Sequence, residues 1–401
     1  MTTTIAMKEG LEKVVVTSSK ICFIDGQKGI IRYRGIDIGE LARYSTYEET
    51  VYLLWFGKLP TQTELDAFKA KLATERELDE AIWDTLTSLP GGPRPMEALR
   101  TMVSALSCCD PHINDHTPEG NIEKAIRLTA KIPTIAAYYH RYLEGLERVR
   151  PNPSLSHAAN FLYMWRGKVP TALEARAMDV AMILMADHEL NASTFAARVT
   201  ASTLSDMYSA ITSAIGTLKG PLHGAANQKA MEMLLEIGDV DNVEPYITAA
   251  LAAKRRIMGF GHRVYKNTLD PRSVYLRKML RELCADAKNG HLYDLAVAVS
   301  ETMWEQKRMY PNVDFFAAPF LHTLGIPVDL FTPVFATSRI AGWTAHVMEQ
   351  YKNNRLLRPL SHYAGILDAR YVPIQQRSGH VHDVARHDAA QGAAHVGVAG
   401  A

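Results

Sequence analysis

Hydrophobic residues recur three or four positions apart along most of the chain, a spacing that places side chains on one face of an α-helix. We therefore expect a mainly α protein. Segment 171–186 has the strongest pattern, because Thr171 and Glu174 are spaced as a capping box and apolar residues then cover nearly every helical face. A helix that is apolar on all sides is predicted to lie at the centre of the molecule.

Two other helix starts have the same capping spacing, and a later helix has a different hydrophobic pattern. Thr46 with Glu49, and Thr61 with Glu64, can each satisfy unpaired N–H groups of a first helical turn. The later helix has a single apolar stripe formed by Leu292, Leu295, Val299 and Met303. One stripe predicts one buried face, so this helix should lie at a surface or an interface.

One early stretch departs from helical spacing. Between Ile21 and Ile31, two short runs rich in β-branched residues flank the polar, glycine-containing segment 25–29. This pattern predicts a β-hairpin and at most a small sheet. The expected fold class is therefore mainly α with a small N-terminal β-hairpin.

Composition indicates a folded protein without a strong overall charge. The chain has 401 residues, of which 47% are hydrophobic, enough for a large core in one globular unit or two unequal domains. Its 44 basic and 43 acidic side chains nearly cancel, so nothing in the balance indicates nucleic acid or a membrane surface as a partner. The four cysteines match neither a disulfide framework nor a zinc site. With no secretory or membrane-spanning pattern, we expect a cytoplasmic protein.

Two histidines stand next to residues that could form a ligand site. His188 follows the apolar helix within a run of polar residues, although a solvated, capped helix end is the simpler explanation of that local sequence. His223 lies within Gly220-Pro221-Leu222-His223-Gly224, where glycine lets a ligand approach the backbone and proline stiffens the turn. A loop histidine bonded to a carbonyl fits the same residues.

His262 lies in a basic turn that contains two glycines. Gly259 and Gly261 resemble the start of a dinucleotide fingerprint, but Val264 stands where its third glycine belongs, so we reject a Rossmann site. Five cations surround the turn, namely Lys254, Arg255, Arg256, Arg263 and Lys266. Clustered cations suit a ligand with several phosphates, and a solvated basic helix end is the alternative.

Asp314 is followed by the aromatic pair Phe315-Phe316. Aromatic neighbours would remove water from the carboxylate and raise its proton affinity toward that of a useful base, although an aspartate there can also cap a helix. Arg272, Arg339 and Arg358 each stand beside a turn former or a small polar residue, where a guanidinium can grip a carboxylate or form an ordinary surface ion pair. No histidine pair has zincin spacing, and no glycine-flanked serine indicates a hydrolase.

The order of these motifs and the residues within them resemble the citrate synthase family from about Cys22 to Tyr371, which is most of the chain. The resemblance rests on Asp25-Gly26 to Tyr33-Arg34-Gly35, His188-Glu189 to Ser193, Gly220-Pro221-Leu222-His223-Gly224, Gly259-Phe260-Gly261-His262 and Pro311-Asn312-Val313-Asp314. It implies an acyltransferase of the tricarboxylic acid cycle that condenses acetyl-CoA with oxaloacetate and hydrolyses the thioester, giving citrate and CoA.

The resemblance also implies roles for individual residues. The expected catalytic residues are His223, His262 and Asp314. Oxaloacetate would be held by His188, Arg272, Arg339 and Arg358, with Arg358 reaching in from the neighbouring subunit. CoA would be bound by Lys254, Arg256, Gly259, Phe260, Gly261, Arg263 and Lys266. No metal and no redox cofactor is required.

At the level of the whole chain, the resemblance implies a homodimer with shared active sites. Residues 1–223 and 326–401 would form a large helical domain, and residues 224–325 a small domain that closes over the ligands. The length resembles the compact dimeric branch rather than the longer, NADH-sensitive hexameric one. Three alternatives stay open: a 2-methylcitrate synthase that uses propionyl-CoA, a metal-dependent hydrolase, and a helical protein that binds acyl-CoA without catalysis.

Overall fold

Helices dominate the part of the chain that the computed structural model describes, which comprises residues 8–90, 92, 94–262, 264–285 and 290–377. Within it, the helices are α1 (Ile38–Tyr44), α2 (Tyr47–Phe56), α3 (Gln62–Thr74), α4 (Glu80–Thr87), α5 (Pro95–Leu106), α6 (Pro118–Leu143), α7 (His157–Arg166), α8 (Ala172–Met185), α9 (Ala192–Ser202), α10 (Met207–Leu218), α11 (Ala226–Ile237), α12 (Val243–Ala252), α13 (Pro271–Cys284), α14 (Gly290–Lys307), α15 (Val313–Thr323) and α16 (Phe331–Lys352). The expectation of a mainly α fold is therefore confirmed.

The sheet contains the predicted hairpin and one strand that the sequence did not reveal. Strands β1 (Cys22–Asp25) and β2 (Ile30–Tyr33) pair antiparallel, and β2 pairs in the same way with β3 (Ile36–Asp37). The turn between β1 and β2 is closed by Asp25, whose Oδ1 accepts two backbone N–H groups of the turn at 3.0 and 3.1 Å. Strand β3 has two residues, too few for an alternating pattern to be read.

Side-chain caps begin three helices at the predicted threonines. At Thr61 and Thr171, the hydroxyl accepts the N–H of the glutamate three residues later, and that glutamate accepts the threonine N–H at 2.8 Å. Both capping boxes are therefore complete. At Thr46 the hydroxyl accepts the corresponding N–H, so the first half of the motif is present at the start of α2.

Helices α8 and α16 lie at the centre of the core. Every residue of α8 from Ala177 to Met185 is buried, and so is every residue of α16 from Phe331 to Val347. The prediction of a central helix at 171–186 is thus confirmed. Trp55 packs against α16, and its Nε1 donates to the Ala341 carbonyl at 3.1 Å. Burial of each large apolar side chain stabilises the fold by roughly 1.5–3 kcal/mol. The two helices are therefore a stable support for the residues that pack beside them.

Helix α14 has one buried face, as its single apolar stripe predicts. The buried side chains are Leu292, Leu295, Ala296, Val299 and Met303. Between them, Asp294 and Glu301 are exposed. No helix within the described residues combines the length and the apolar character needed to cross a membrane.

The chain divides into two compact units. One of them, Ser19–Leu357, contains all the helices and strands named above. In the described parts of the other, residues 8–18 and 358–377, the regular structure is limited to two short 3-10 turns. Several large apolar side chains of residues 358–377 are exposed. The predicted small domain at 224–325 stays a prediction.

Candidate active site

The segment that carries His188 is held against α16 by two hydrogen bonds to its backbone carbonyls. Helix α8 ends at Met185, whose carbonyl accepts the Nε–H of Arg339 at 2.8 Å. The next carbonyl, that of Ala186, accepts the backbone N–H of Gly342 at 3.0 Å. Two turns of α16 therefore satisfy the carbonyls that the end of α8 leaves unpaired, and they fix the position of His188 just beyond it.

His188 is buried among other groups of the predicted site. Its Nε2 lies 3.2 Å from the Tyr265 hydroxyl, and its ring centroid lies 5.5 Å from that of His262. Burial, followed by the positive charge of Arg272, lowers the pKa of His188 well below its ordinary value. The imidazole is therefore neutral at physiological pH.

The backbone of the following turn fixes the tautomer of His262. Its Nδ1 accepts the backbone N–H groups of Val264 and Tyr265, at 2.9 and 3.3 Å. A nitrogen that accepts hydrogen bonds holds no proton, so the proton of the neutral ring is on Nε2. Burial, with a smaller contribution from Arg272, lowers the pKa of His262 to about 4. His262 can thus donate one hydrogen bond, from Nε2, without carrying a charge.

His223 is held by a serine on α9. Its Nε2 lies 2.8 Å from Ser193 Oγ, and the same oxygen accepts the indole N–H of Trp343 at 3.1 Å. Asn191 Oδ1 is a second acceptor within reach of the serine hydroxyl, at 2.8 Å. Burial, and then the charge of Arg339, lowers the pKa of His223 to about 4. This ring too is neutral, and its Nδ1 is the nitrogen that Ser193 does not contact.

Asp314 is carried by a segment that is bonded to the His262 turn. Asp314 is the second residue of α15, and Asn312 caps that helix by accepting the Asp314 N–H at 3.1 Å. Asn312 also donates its backbone N–H to the Gly259 carbonyl at 2.9 Å and its side-chain amide to the Gly261 carbonyl at 3.0 Å. These two bonds fix the helix that carries Asp314 against the turn that carries His262.

The surroundings of Asp314 make its carboxyl group a stronger base than an ordinary aspartate. Burial raises the pKa of Asp314 to about 6, and the nearby Asp270 adds to the increase. The positive charges of Arg272 and Arg339 act in the opposite direction and lower the pKa of Asp314. A carboxyl group with this pKa is ionised at neutral pH yet still has a useful proton affinity.

Two buried guanidinium groups lie at the same site. Arg272 donates from Nε and Nη2 to Asp270, at 3.0 and 2.7 Å, and this carboxylate raises the pKa of Arg272 although burial lowers it. Arg339 lies over the ring of Phe335 at 4.7 Å. Its two terminal nitrogens make no hydrogen bond to any described residue. A guanidinium in this state is suited to a bidentate contact with a substrate carboxylate.

Six of the seven residues predicted for catalysis and oxaloacetate binding are brought together in this way. They are His188, His223, His262, Arg272, Asp314 and Arg339. The seventh, Arg358, is exposed and belongs to the other compact unit, so its role stays a prediction.

The basic turn offers exposed positive charge. Lys254, Arg256 and Lys266 are exposed, whereas Arg263 lies outside the described residues. Gly259 and Gly261 have φ angles of +80° and +84°, a left-handed conformation that favours glycine. Between them, Phe260 is buried with its ring 4.8 Å from that of Phe315.

Sequence reasoning missed several residues that orient the predicted ones. Ser193 lies in the motif that begins at His188, but its local sequence indicates no role, and the local sequences of Tyr265 and Trp343 indicate none either. A signal for Trp343 existed, because it follows Arg339 by four residues on a helix and therefore shares its face. The contacts of Ser193 and Tyr265 join segments far apart in the chain and leave no local pattern.

Together these groups can carry out acid–base chemistry on an anionic carbonyl compound. A carboxyl group can accept a proton, two neutral imidazoles can donate hydrogen bonds to developing oxyanions, and two guanidinium groups can bind carboxylates. Among the described residues, no three or more His, Cys, Asp or Glu side chains are grouped so that they could hold a metal ion.

Comparison with known proteins gives consistent matches over most of the chain. The family model for the citrate synthase C-terminal domain matches residues 10–360. A citrate synthase from Haloferax volcanii is 49% identical over 377 residues, covering 92% of this chain and 99% of that protein. A 2-methylcitrate synthase from Shewanella oneidensis is 42% identical over 348 residues, covering 86% of this chain and 92% of that protein.

A solved structure is similar in fold as well. It is the ternary complex of carboxymethyl coenzyme A and oxaloacetate with citrate synthase from Thermoplasma acidophilum. The two chains are 33% identical and superpose with a TM-score of 0.87, over 93% of this chain and 100% of the other.

Proposed function

The chain belongs to the citrate synthase family, and from this premise we propose how its residues condense acetyl-CoA with oxaloacetate and hydrolyse the thioester to citrate and CoA. It is an enzyme of the citrate synthase type, a transferase. The observation that carries the proposed mechanism is that a carboxyl group of raised pKa, Asp314, lies at one site with two imidazoles held neutral, His223 and His262.

The first proposed step removes a proton from the methyl group of acetyl-CoA. Asp314 takes the proton, the electron pair of the C–H bond forms the new C=C bond, and the π pair of the thioester carbonyl moves to its oxygen. His223 would stabilise this oxygen by a hydrogen bond from Nδ1, because its Nε2 faces Ser193. A neutral imidazole has one proton, so this role requires the Ser193 hydroxyl to donate to Nε2 rather than to Asn191.

In the second proposed step, the enol carbon attacks the ketone carbon of oxaloacetate. The new C–C bond forms while the carbonyl electron pair moves to the ketone oxygen. This oxygen becomes a hydroxyl by taking up one proton, which balances the proton that Asp314 accepted in the first step. His262 would polarise this carbonyl with its Nε2–H, the donor that its backbone contacts leave available. Water then cleaves the thioester, releases CoA and makes the overall reaction effectively irreversible.

Oxaloacetate would be oriented by its two carboxylates. Arg339 has unused terminal nitrogens, and Arg272 is held in a fixed orientation by Asp270. His188 would donate a further hydrogen bond, and Arg358 would enter from the partner subunit of a homodimer with shared sites. Fixing the electrophile before the second substrate binds converts an improbable encounter into a positioned one.

CoA would be bound at the basic turn, where the exposed cations can contact its phosphates. Lys254, Arg256 and Lys266 are the described candidates, together with Arg263. The glycines would let the ligand approach the backbone, and Phe260 would contribute its main chain because its ring is buried. We propose that residues 224–325 close over both substrates and exclude water until the C–C bond has formed. We place the enzyme in the cytoplasm, where its free thiols would stay reduced.

The direct test is the release of CoA thiol from purified protein supplied with oxaloacetate and acetyl-CoA. We expect thiol release that depends on both substrates, with citrate as the product. Binding of acetyl-CoA without thiol release after oxaloacetate is added would instead support a non-catalytic acyl-CoA-binding protein.

A second candidate reaction uses propionyl-CoA and gives 2-methylcitrate, and the match to the Shewanella oneidensis enzyme supports it. One additional methylene changes the shape of the acyl pocket but not the catalytic groups. Measuring kcat/KM for acetyl-CoA and propionyl-CoA side by side decides between them. The substrate with the higher value identifies the physiological reaction.

A further inference from the structure

We propose that His346 is a positioning residue that fixes the oxaloacetate end of the site through Asp187. This inference rests on the proposed function, because it assigns His188 and Arg339 to oxaloacetate. His346 lies on the fully buried part of α16, seven residues after Arg339.

One face of α16 supports the proposed site along its length. Arg339, Gly342, Trp343 and His346 are spaced i, i+3, i+4 and i+7, which places them on the same side of the helix. The first two bond the carbonyls at the end of α8, and Trp343 donates to the serine that contacts a catalytic histidine. His346 extends this face by one turn, beside Asp187.

The tautomer of His346 follows from its contact with Arg198. A guanidinium can only donate hydrogen bonds, so the Nη1 of Arg198, 3.1 Å from His346 Nδ1, makes that nitrogen an acceptor. The ring proton is then on Nε2, which faces Asp187 Oδ1 at 3.4 Å. This separation is longer than an ordinary hydrogen bond, so the contact is chiefly electrostatic. Within the described residues, both atoms are buried and have no hydrogen-bond partner.

Asp187 is placed so that this contact affects the substrate groups. Its Oδ2 accepts the N–H of Glu189 at 3.1 Å, which spans His188 and closes the turn. Glu189 has a φ of +53°, a strained conformation for a residue with a side chain. Burial lowers the pKa of Arg339, and the negative charge of the Asp187 carboxylate opposes this decrease. Turning this carboxylate away would therefore disturb both His188 and Arg339.

Gly342 leaves the carboxylate little freedom to turn. A Cβ built at this glycine would lie 2.3 Å from Asp187 Oδ1, so the backbone of α16 is packed directly against the carboxylate. The Nε2 of His346 is the nitrogen of this face that lies 3.4 Å from Asp187 Oδ1. Backbone packing and one N–H group together determine where Oδ1 lies.

Two substitutions separate the contacts of His346. In His346→Asn, the amide can still accept from Arg198, but it is too short to reach Asp187. In His346→Gln, the amide N–H can take the place of Nε2 and still donate to Asp187. We expect His346→Asn to raise the Kd and KM for oxaloacetate about tenfold, because Asp187 loses the electrostatic contact that orients its carboxylate. His346→Gln should retain most of the parental affinity.

The measurements are steady-state kinetics with both substrates, calorimetric titration with oxaloacetate, and thermal melting. The KM for acetyl-CoA at saturating oxaloacetate should stay within about twofold of the parent in both variants. His157→Asn is the matched control, since His157 is a buried histidine of α7 whose ring nitrogens have no hydrogen-bond partner among the described residues. It should lower the melting temperature without changing oxaloacetate affinity.

The outcomes are distinguishable. If His346→Asn and His157→Asn both lower stability and neither changes oxaloacetate affinity, His346 has only a structural role and the inference is wrong. It is also wrong if His346→Gln is as impaired as His346→Asn. Should His346→Asn fail to fold, Asp187→Asn must weaken oxaloacetate binding, and unchanged binding would overturn the inference. A parental protein that binds no oxaloacetate would instead refute the proposed function.

Discussion

His223 and His262 are both neutral imidazoles, but different contacts select the nitrogen that carries the proton. For His262, two backbone N–H groups select Nε2 as the protonated nitrogen. For His223, the choice depends on where one serine proton points. Since the pKa of each ring is about 4 and that of Asp314 is about 6, the carboxyl group takes up a proton first as the pH falls.

This order predicts the acid side of the pH profile. Asp314 must be ionised to accept a proton, so kcat/KM for acetyl-CoA should fall about tenfold per pH unit below about pH 6. Initial rates at saturating oxaloacetate and constant ionic strength measure this limb. A plateau that extends down to about pH 4 would show that another group limits the reaction.

Asp314→Asn should separate activity from stability. Without a base, turnover should drop by about 10²–10⁴, while oxaloacetate binding measured by calorimetry should change little. The folded-state pKa of Asp314 is raised, so ionisation favours unfolding and its cost is fully present above about pH 6. The variant should therefore melt at a higher temperature than the parent at neutral pH, and the difference should disappear toward about pH 4. Equal melting temperatures at neutral pH would contradict the burial of this charge.

At this scale, sequence motifs indicated the residues and the raised proton affinity of Asp314, but not the contacts that select the tautomers of the histidines. The motifs around His188, His223, His262 and Asp314 indicated groups that the structure brings together. The orientation of His223 depends on Ser193, which is 30 positions away, and that of Ser193 depends on Trp343, which is 150 positions away. Hydrogen bonds over such separations depend on the assembled fold and leave no periodic pattern.

At the scale of elements, the pairing of the His262 turn with the start of α15 is the feature on which the proposed mechanism depends. Gly259 makes this close approach possible. Its φ is +80°, and a Cβ built there would lie 2.7 Å from the Cβ of Phe315. No other residue type fits both the backbone conformation and the available space.

Gly259→Ala should therefore damage both stability and activity. We expect a cost of about 1–2 kcal/mol for the left-handed conformation, and a further 1–3 kcal/mol or so for overpacking against Phe315. Gly325→Ala is the matched control, because Gly325 has a φ of +74° but no atom within 4 Å of its built Cβ. Denaturant unfolding and thiol-release assays should find the control less destabilised and fully active. Equal losses in both variants would argue against the close approach.

Elements with strong local signals were predicted well, and those defined by contacts were not. The apolar pattern and the Thr171 cap predicted α8 to within a residue at each end. Strand β3 was missed because it is stabilised by pairing with β2 rather than by its own two residues. Hydrophobic periodicity also could not reveal that α16 supports the site. A helix that is buried on every side has no distinct apolar stripe, so its sequence pattern does not show which face contacts the site.

At the scale of the whole molecule, the proposed homodimer would build each active site from two chains. Arg358→Ala and His223→Ala variants should each have little activity. Mixed dimers should regain some, because one of the two sites then carries both intact residues. The experiment is to co-express the two differently tagged variants, isolate the mixed dimer by tandem affinity and assay thiol release. Mixed dimers that stay as inactive as each variant alone would refute the shared site.

Helix α16 follows nearly all of its packing partners in the chain, and this order constrains how the protein is made. Trp55 donates to a carbonyl 286 positions later, and Tyr47 to one 291 positions later. Until Phe331–Lys352 has left the ribosome, the groove that receives this helix stays open and its apolar walls face water. Nascent chains that stall earlier should therefore be held by chaperones and cut readily by proteases, whereas completion of this one segment allows the earlier helices to close around it.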